Sequence, residues 1–553
     1  MTMRRRTLMT GSLLSAAALA AAGCSFDRGA SGSGDDSEDG PTEVRIAGWG
    51  GTQWTQNFNL FSPTATAVTP GTSFFYEPLV RVDRTNAGVA LPFLAESWEF
   101  NDEGTELTFT LRNDVAWSDG EKFTAEDVAF TWQLVLDGET NAAYPFASVE
   151  ATDDTTVKVT YDNPSFTDLM QFSSRRILPK HIWENEDVAG YTNQEPVGTG
   201  PFVLDSFSPQ QVALKVRDDW WGGASKGVQR VVLLAMSADA AKDAAIKGDI
   251  DYGTFGWENG EEEFVAKDPE NNEYSFYPTG SAAGIIFNTM AKPYDDPAVR
   301  RALRDCLDLQ AAADAVKVGY DVPTKCGLDA DVYSAVLAPN QEQTPDPEGA
   351  KKTLEDAGYT VEGGKLAKDG ESWELRYDVY QPYTEWVLTG QLLADQWKTA
   401  LGLDVRVNQL ADQPYSDVVE SGGYGMISES PTGGLQIADQ ASLYDSRKVG
   451  EPGDNSQGNA AFLKNTRIDE IADALMEIPP GEQEDKVKEL AVEFQEIITE
   501  EAPFIATATG GWKAVFNKKR WDNFPVMGET DFVPNNTLPA DAILTLMNLE
   551  PRK

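Results

Sequence analysis

The sequence predicts a mixed α/β protein with at least two lobes. Residues 43–47 form a first predicted strand, and residues 107–112 alternate apolar and polar side chains as a half-buried strand does. Residues 401–407 follow a helix with a strand, a unit typical of α/β architecture. A chain of 553 residues also supplies enough material for about two to four structural units.

The N-terminus predicts an export signal of residues 1–23. Three arginines precede an apolar run, Leu8–Ala22, that is too short to span a bilayer comfortably. The small residues before Cys24 resemble a bacterial lipobox, so we expect cleavage there and a diacylated thiol on Cys24. Two acyl chains hold a protein firmly, which predicts a chain anchored to the cell membrane on its extracytoplasmic face. The alternative is an ordinary signal peptide with an incidental cysteine, and the arginines fit either Sec or twin-arginine export.

Residues 24–40 predict a flexible tether. They contain Gly, Ser, Asp and Glu with almost nothing apolar, and their acidic side chains repel one another. The whole chain is strongly acidic, with a formal net charge of −44 from 89 acidic and 45 basic residues. Such a surface repels nucleic acid, so we expect no nucleic-acid partner. We expect a monomer.

The later part of the chain predicts more helix. Asp296-Pro297 supplies an N-cap and a first helical residue for a helix through Leu307, and Asp346-Pro347 does the same for a helix that ends at Gly358. The apolar stripe of a further long helix consists of Val487, Leu490, Ala491, Phe494, Ile497 and Ile498.

Two cysteines remain after Cys24. In an exported chain the pair Cys306 and Cys326 is a candidate disulfide. The alternative is that Cys306 lies on an apolar helix face, because Val299, Leu303 and Leu307 recur with it at helical spacing. The sequence leaves both interpretations open.

Catalysis is not predicted. The chain contains one histidine, His181, so histidine-based triads and zinc motifs lack their partners. Residues 198–201, Gly-Thr-Gly-Pro, lack the GK[ST] of a phosphate loop and are better interpreted as a tight turn or crossing. We therefore assign no catalytic residue, no metal ligand and no cofactor, and expect a protein that is not an enzyme.

Tryptophans in loops predict a binding role. Trp49 and Trp54, Trp386, and Trp512 lie in segments rich in Gly, Pro, Gln or Asn rather than in periodic elements. Loop aromatics can stack on sugar faces or enclose peptide side chains. Packing between lobes is the alternative for about half of the tryptophans.

A family resemblance begins at residues 95–99. After the strand at 107–112 comes Trp117–Val128, which reads WSDGEKFTAEDV and contains a predicted capping box from Thr124 to Asp127. Together these segments resemble the family-five extracytoplasmic solute-binding proteins, the group that includes oligopeptide, dipeptide, nickel and oligosaccharide binders. Further matching motifs follow in order at Pro196–Phe202, Trp220–Gly223, Gly248–Asp251, Val299–Leu303 and Asp346–Lys351.

The resemblance implies a two-lobed periplasmic-binding-protein fold of the Venus-flytrap type, with an additional α/β domain inserted in the first lobe. The expected boundaries are lobe I at 41–85, 196–285 and 509–553, the inserted domain at 86–195, and lobe II at 286–508. The hinge is expected near residues 285 and 505. The expected function is solute capture in the interlobe cleft and delivery to an ABC permease coupled to an ATPase.

The solute is expected to be an oligopeptide, with an oligosaccharide of the β-gluco type as the alternative. Peptide binders of this family carry an acidic anchor in a segment like Trp-x-x-Asp-Tyr-x-Asp, and residues 425–434 depart from it. Glu429 or Asp439 is the candidate replacement. Residues 57–63, Trp386 and residues 193–201 look more like the oligosaccharide branch. With a single histidine, a nickel–histidine role is not expected, and a surface receptor without transport is a further alternative.

The candidate ligand contacts lie in four segments, and Trp386 is the strongest single candidate. They are Trp49, Trp54, Asn57, Asn59, Tyr383, Trp386, Glu429, Ser430, Thr432 and Trp512.

Overall fold

The computed structural model describes residues 40–48, 52–62, 71–85, 89–140, 144–316, 322–431, 434–450 and 458–552. The predicted signal peptide, Cys24, most of the tether, Trp49 and Thr432 lie outside the described residues. Within the described ranges, no helix is both long and apolar enough to cross a membrane.

The secondary structure alternates strands and helices along most of the chain. Up to the first interlobe strand the elements are β1 (Glu43–Ala47), α1 (Thr72–Phe75), β2 (Val80–Val82), β3 (Ala90–Pro92), β4 (Ala95–Phe100), β5 (Glu106–Leu111), α2 (Ala125–Leu136), β6 (Ser148–Asp153), β7 (Thr156–Thr160), α3 (Lys180–Trp183), β8 (Phe202–Ser208), β9 (Gln211–Val216), β10 (Arg230–Leu234), α4 (Ala238–Lys247), β11 (Tyr252–Gly253), α5 (Gly260–Glu263) and β12 (Asn272–Phe287). The elements that follow are α6 (Pro297–Asp305), α7 (Leu309–Val316), α8 (Pro347–Asp356), β13 (Thr360–Glu362), β14 (Lys365–Lys368), β15 (Glu371–Trp373), β16 (Leu375–Tyr380), α9 (Thr384–Leu401), β17 (Val405–Leu410), α10 (Asp412–Ser421), β18 (Met426–Glu429), α11 (Ile437–Ser442), α12 (Thr466–Met476), α13 (Glu484–Glu501), β19 (Phe504–Asn517), β20 (Trp521–Asp522), α14 (Pro539–Met547) and β21 (Glu550–Pro551). Short 3₁₀ helices cover Phe166–Ser173, Val265–Lys267 and Ser446–Lys448.

A ten-stranded sheet runs through both lobes in the order β17-β16-β18-β12-β19-β11-β1-β10-β9-β8. The antiparallel pair β12 and β19 is long enough to belong to both lobes, and its register shifts between Pro278 and Ala282. Tyr277 packs in the core of lobe I, whereas Ala282 packs in a core of lobe II. The strand β12 therefore contributes to both cores, one on each side of this register shift.

Lobe II packs on both faces of its part of the sheet. Ile285 and Phe287 of β12 lie in one hydrophobic cluster, while Ile286 between them lies in the cluster on the other face. This alternation follows from the two-residue period of a strand. The helix predicted from the stripe at 487–498 is α13, whose apolar face closes the second of these clusters.

The inserted domain has its own sheet and core. Its four antiparallel strands run in the order β4-β5-β7-β6. Helix α2 begins with the predicted capping box, in which the Thr124 amide donates to Asp127 Oδ2 at 2.9 Å. Its hydrophobic cluster contains buried residues from Leu79 to Ile177, and Val197 and Trp221 pack against it.

Glu77 joins the inserted domain to lobe I. Its two carboxylate oxygens accept hydrogen bonds from the indole nitrogens of Trp220 and Trp221, each at 3.0 Å. The carboxylate is fully buried, and this burial raises its pKa to about 7. The tryptophan pair of the Trp220–Gly223 motif thus has a structural role at this junction.

The predicted helix starts and the tight crossing are confirmed. The Asp296 carboxylate accepts from the Ala298 amide and the Asp346 carboxylate from the Gly349 amide, each at 2.9 Å. At Gly198 an added Cβ would lie 2.0 Å from the carbonyl oxygen of Phe75, so only glycine allows this close approach.

The cysteines are free thiols, so the candidate disulfide is not formed. Cys306 ends α6 and packs in one cluster of lobe II, and Cys326 packs in the cluster on the other side of the sheet. The Cys306 sulfur is 3.7 Å from the Leu303 carbonyl oxygen, and Cys326 lies beside Thr324. The structure therefore takes the alternative in which Cys306 belongs to an apolar helix face.

Candidate functional site

The carboxyl ends of parallel strands define the candidate site. In lobe II, β16 runs parallel to β17 and to β18, and the three strands end at Tyr380, Leu410 and Glu429. In lobe I, β1 runs parallel to β10 and β11. Ligands of open α/β sheets bind outside the carboxyl ends of such strands. Each lobe therefore offers one binding edge.

The two binding edges face each other. Glu258 follows β11 in lobe I, and Thr384 begins α9 after β16 in lobe II. The Thr384 hydroxyl donates to Glu258 Oε1 at 2.7 Å, and Lys242 Nζ lies 2.8 Å from Glu258 Oε2. These contacts bring the edges of both lobes to one cleft.

A second contact joins lobe II to the inserted domain. Gln171, in the 3₁₀ helix Phe166–Ser173, donates from Nε2 to Asp439 Oδ1 at 3.3 Å. The same 3₁₀ helix also packs against α12. Desolvation of Asp439 raises its pKa to about 6, although hydrogen bonds from the Gln436 amide and from Gln171 act in the opposite direction. The inserted domain therefore takes part in the cleft.

Four aromatic side chains and one carboxylate cover the edge of lobe II. We call this set, Tyr380, Tyr383, Trp386, Tyr415 and Glu429, the lobe II wall. The ring of Tyr383 lies edge-on to both Tyr380 and Trp386, with centroids 4.9 Å apart in each pair. Tyr380 also lies 4.9 Å from Tyr415. Tyr383 is 40% exposed, so the wall keeps aromatic surface available.

Glu429 places a negative charge beside these rings. Its Oε2 accepts from the Tyr415 hydroxyl at 3.0 Å, and its Oε1 accepts from the Ser430 amide at 3.1 Å. Burial raises the pKa of the Tyr383 hydroxyl, and the charges of Glu385 and Glu429 raise it further. Tyr383 is therefore neutral. The side chain of Glu429 remains partly exposed at the end of β18.

A cavity of about 230 Å³ lies between lobe I and the inserted domain. We call it the arginine cavity, and its lining residues are Leu60, Phe61, Tyr144, Gln171, Ser174, Arg175 and Arg176. Since Gln171 also contacts Asp439, the cavity lies where the inserted domain meets lobe II.

The two arginines of the cavity differ in their partners. Arg175 forms a buried bidentate pair with Asp168, at 2.9 and 2.7 Å, and stacks on Tyr144 and Phe172. Arg176 instead donates to neutral oxygens of lobe I, namely Thr72 Oγ1 at 3.3 Å, Ser73 Oγ at 3.2 Å and the Thr537 carbonyl at 2.8 Å. Desolvation lowers the pKa of Arg176 to about 10.

The predicted contacts of the first loop are mostly buried in lobe I. Trp54 is 7% exposed and packs in the lobe I core. Asn59 is 1% exposed, and its amide donates to the carbonyls of Val188 and Tyr191 at 2.7 and 2.8 Å. The side-chain oxygen of Asn57 accepts a hydrogen bond from the backbone amide of Asn59 at 3.0 Å. Burial leaves these three side chains little surface for a solute. Instead, their loop places the next two residues, Leu60 and Phe61, in the lining of the arginine cavity.

The other predicted residues are distributed as follows. Tyr383 and Trp386 lie together in the lobe II wall with Glu429. The Ser430 hydroxyl lies 3.5 Å from the Ala282 carbonyl, at the crossing between lobes. Trp512 lies on the interlobe strand β19, with the guanidinium of Arg84 over its ring at 5.2 Å.

Sequence reasoning missed the groups contributed by lobe I and the inserted domain. Glu258 and Arg176 were not among the candidates, because no local sequence pattern distinguishes either residue from the other charged side chains of the chain. Within the described ranges, no group of His, Cys, Asp and Glu has an arrangement suited to a metal ion. His181 pairs with Asp119 in the inserted domain at 2.8 Å.

Comparison with known proteins matches this architecture. A family model for bacterial extracellular solute-binding proteins, family 5, matches residues 90–448. The nickel-binding periplasmic protein of Escherichia coli (strain K12) is 28% identical over 321 residues, which are 56% of this chain and 60% of that protein. The oligopeptide-binding protein OppA of Bacillus subtilis (strain 168) is 23% identical over 359 residues, 60% of this chain and 65% of that protein. The matches thus span less than two thirds of either relative.

Solved structures match over nearly the whole chain. A periplasmic oligopeptide-binding protein of an oligopeptide ABC transporter from Thermotoga maritima superposes with a TM-score of 0.80 at 25% identity, covering 92% of this chain and 99% of that one. A mannohexaose-bound structure of the Thermotoga protein gives a TM-score of 0.78 at 24% identity, with the same coverage.

Proposed function

The chain belongs to the bacterial extracellular solute-binding proteins of family 5, and we propose that it captures oligopeptides between its lobes and delivers them to the permease of an ABC importer. The observation that carries the proposal is the contact between Thr384 and Glu258, which brings the binding edges of both lobes together. A solute held there touches both lobes and so favours the closed arrangement. The predicted lipid anchor on Cys24 would keep the protein near its permease.

Glu429 supports a peptide as the solute. It is a partly exposed carboxylate at the end of β18, among aromatic side chains, where it can receive the amino group of a peptide. Asp439 is the other acidic candidate, but it caps α11 through the Gln436 amide and bonds Gln171 of the inserted domain. Glu429 is therefore our choice for the acidic anchor.

An oligosaccharide is the second candidate solute. The aromatic rings of the lobe II wall provide faces and edges of the kind on which sugars stack. The mannohexaose-bound Thermotoga structure shows that a protein of this fold accommodates a sugar. A neutral oligosaccharide would use the aromatic rings but would leave the charge of Glu429 without a partner.

Thermal unfolding of the purified protein with matched panels of oligopeptides and neutral oligosaccharides distinguishes the two. A solute present at 100 times its dissociation constant should add about 2.7 kcal/mol to the free energy of unfolding. We expect stabilisation by peptides. Stabilisation by sugars alone would overturn the peptide assignment, and no response to either panel would overturn the proposed solute classes. Loss of peptide uptake in cells that lack the protein would separate an importer subunit from a surface receptor.

Trp386→Ala tests whether the lobe II wall binds the solute. We expect about a tenfold loss of affinity, because a stacked aromatic contact contributes roughly 1 kcal/mol or more beyond its buried area. Trp373→Ala is the matched control, since both tryptophans are partly buried at the edge of the same hydrophobic cluster. Trp373 lies at the end of β15, just before β16 begins, whereas the candidate site lies where β16 ends. Equal effects of the two substitutions on affinity would remove Trp386 from the site.

A further inference from the structure

We propose that the arginine cavity is a carboxylate subsite, in which Arg176 receives an anionic end group of the bound solute. The inference rests on the proposed function, because it concerns the chemistry of the solute held in the same cleft. It assigns that solute a carboxylate, a group that a neutral oligosaccharide lacks.

The first argument is the unbalanced charge of Arg176. Of the residues that the structure describes, no aspartate or glutamate comes within ion-pairing distance of its guanidinium, and its hydrogen-bond acceptors are two hydroxyls and one carbonyl. Its Nε is buried without an acceptor. A partly desolvated charge without a counter-ion is costly, and an arriving carboxylate would reduce that cost.

The second argument is the contrast with the neighbouring residue. Arg175 shares the cavity but is already neutralised by Asp168 through two short hydrogen bonds. The chain has 89 acidic residues, so an internal partner for a second arginine would be easy to supply. A guanidinium group binds carboxylates through its N–H groups, and Arg176 keeps two of them, Nε–H and one on Nη1, without an acceptor among the described residues.

The third argument is the composition of the rest of the cavity. Leu60, Phe61 and the ring of Tyr144 give it an apolar side next to the arginines. About 230 Å³ is enough for the terminal portion of a solute and too small for a whole oligomer. The cavity therefore fits an end residue that combines an apolar body with a carboxylate.

The position of the cavity connects it to the main cleft. Its lining residue Gln171 contacts Asp439, and Asp439 lies in the segment that follows β18 and Glu429. A solute with an amino group at Glu429 and a carboxylate at Arg176 would span this segment. A peptide has both groups, and an oligomer of uronic acids has the carboxylate alone.

Calorimetric titration of the purified protein tests the subsite with paired probes. The first pair is alanine oligopeptides with a free C-terminal carboxylate and the same peptides as C-terminal amides. The second pair is hexamannuronate and mannohexaose. In whichever of the two pairs binds, we expect the probe with the carboxylate to bind about tenfold more tightly than its neutral partner. This is the size of effect expected for a charge-assisted hydrogen bond.

Arg176→Gln should bring that ratio close to one and leave the affinity for the neutral probe unchanged. Arg176→Lys should restore part of the preference, because it keeps the charge and loses the planar arrangement of the N–H groups. Lys180→Gln is the control, since it removes the same charge from a nearby exposed pair with Glu126 and should leave the ratio unchanged. Thermal unfolding of each variant verifies that it is folded.

Two outcomes overturn the subsite: neutral probes that bind as tightly as their carboxylate partners, or a preference that survives Arg176→Gln. If no probe binds, the proposed solute classes are wrong, but the subsite can still be tested with a small carboxylate. In that case acetate, compared with chloride at equal ionic strength, should raise the melting temperature of the parent protein more than that of Arg176→Gln. Equal shifts in the two proteins would overturn the subsite on this readout as well.

Discussion

The lobe II wall and the arginine cavity are built from different parts of the molecule and differ in chemistry. The wall combines aromatic rings with the carboxylate of Glu429, whereas the cavity combines apolar side chains with two arginines. The wall is built from residues at the carboxyl ends of parallel strands and in the helices that follow them. The cavity is assembled from segments far apart in the chain, since Arg176 bonds Thr72, Ser73 and Thr537.

This difference separates affinity from selectivity. Aromatic surface at the wall can hold many solutes, because stacking depends little on the identity of the solute. A guanidinium that lacks an internal counter-ion discriminates between charged and neutral groups, because the unpaired state is costly. We expect solute selectivity to depend on the cavity and on Glu429, and general affinity to depend on the rings.

Asp168→Ala should give the largest effect, and it acts on stability. The substitution leaves the buried Arg175 without its bidentate partner and removes the acceptor of the Tyr161 hydroxyl. Breaking a buried ion pair from one side costs about 3–5 kcal/mol, which we expect as the loss of unfolding free energy in chemical denaturation.

Glu493→Ala is the matched control for that substitution. It deprives Arg467 of a bidentate carboxylate on the exposed surface of lobe II, where we expect little change because solvent screens the pair. A small loss in Asp168→Ala would mean that Arg175 is not fixed by its pair. Arg175 and Arg176 would then be equivalent in the cavity, and the contrast between them would no longer stand.

Glu429→Gln should have an intermediate effect, on affinity. The substitution keeps the shape and removes the charge, so peptides with a free amino terminus should bind about tenfold more weakly, whereas their N-acetylated forms should bind as before. Titration of both peptide forms against both proteins measures the coupling between the carboxylate and the amino group.

Glu420→Gln controls for the loss of one negative charge, because Glu420 is an exposed residue of α10 in the same lobe. It should leave the ratio of free to acetylated peptide affinity unchanged. The assignment of the acidic anchor to Glu429 would be wrong if the two glutamates behaved alike.

Local features of the fold were predictable because their causes are local. The N-caps at Asp296 and Asp346 and the capping box at Thr124 depend on residues two or three positions apart, and all three are confirmed. Tyr383 and Trp386 were also found from sequence, although they lie at the N-cap and in the first turn of α9 and not in a loop before it. Two of the five residues of the lobe II wall could be named in this way.

The lobe I side of the site was not predictable in the same manner. Trp54 and Asn59 have the loop composition of binding residues, but tertiary packing buries them. Arg176 has no local pattern that marks it, since its environment is created by residues more than a hundred positions away. Only the assembled fold shows that Arg175 has an acidic partner and that Arg176 has none among the residues that the structure describes.

Asp439→Asn should have the smallest effect, on the pH dependence of binding. Burial raises the pKa of Asp439 to about 6, with Asp168 of the inserted domain raising it further and Lys448 of lobe II lowering it. If opening exposes the carboxyl to water, its pKa falls, so the closed form binds more protons between the usual aspartate pKa and about 6. Acidification from about pH 7 to 5 should therefore strengthen binding a few-fold, and this gain is lost as the pH rises through 6.

The asparagine variant separates this titration from the hydrogen bonds around it. Its amide oxygen can still accept from the Gln436 amide, and its NH₂ group can donate to Gln171 after that side chain reverses, so both contacts persist without a charge. Affinity for a peptide that does not titrate in this range should become independent of pH. Asp417→Asn is the matched control, because Asp417 accepts from Gln413 in an exposed pair at 2.8 Å and should keep the parent pH profile. An unchanged profile in Asp439→Asn would place the pH dependence elsewhere and would mean that the contact between Gln171 and Asp439 does not open with the cleft.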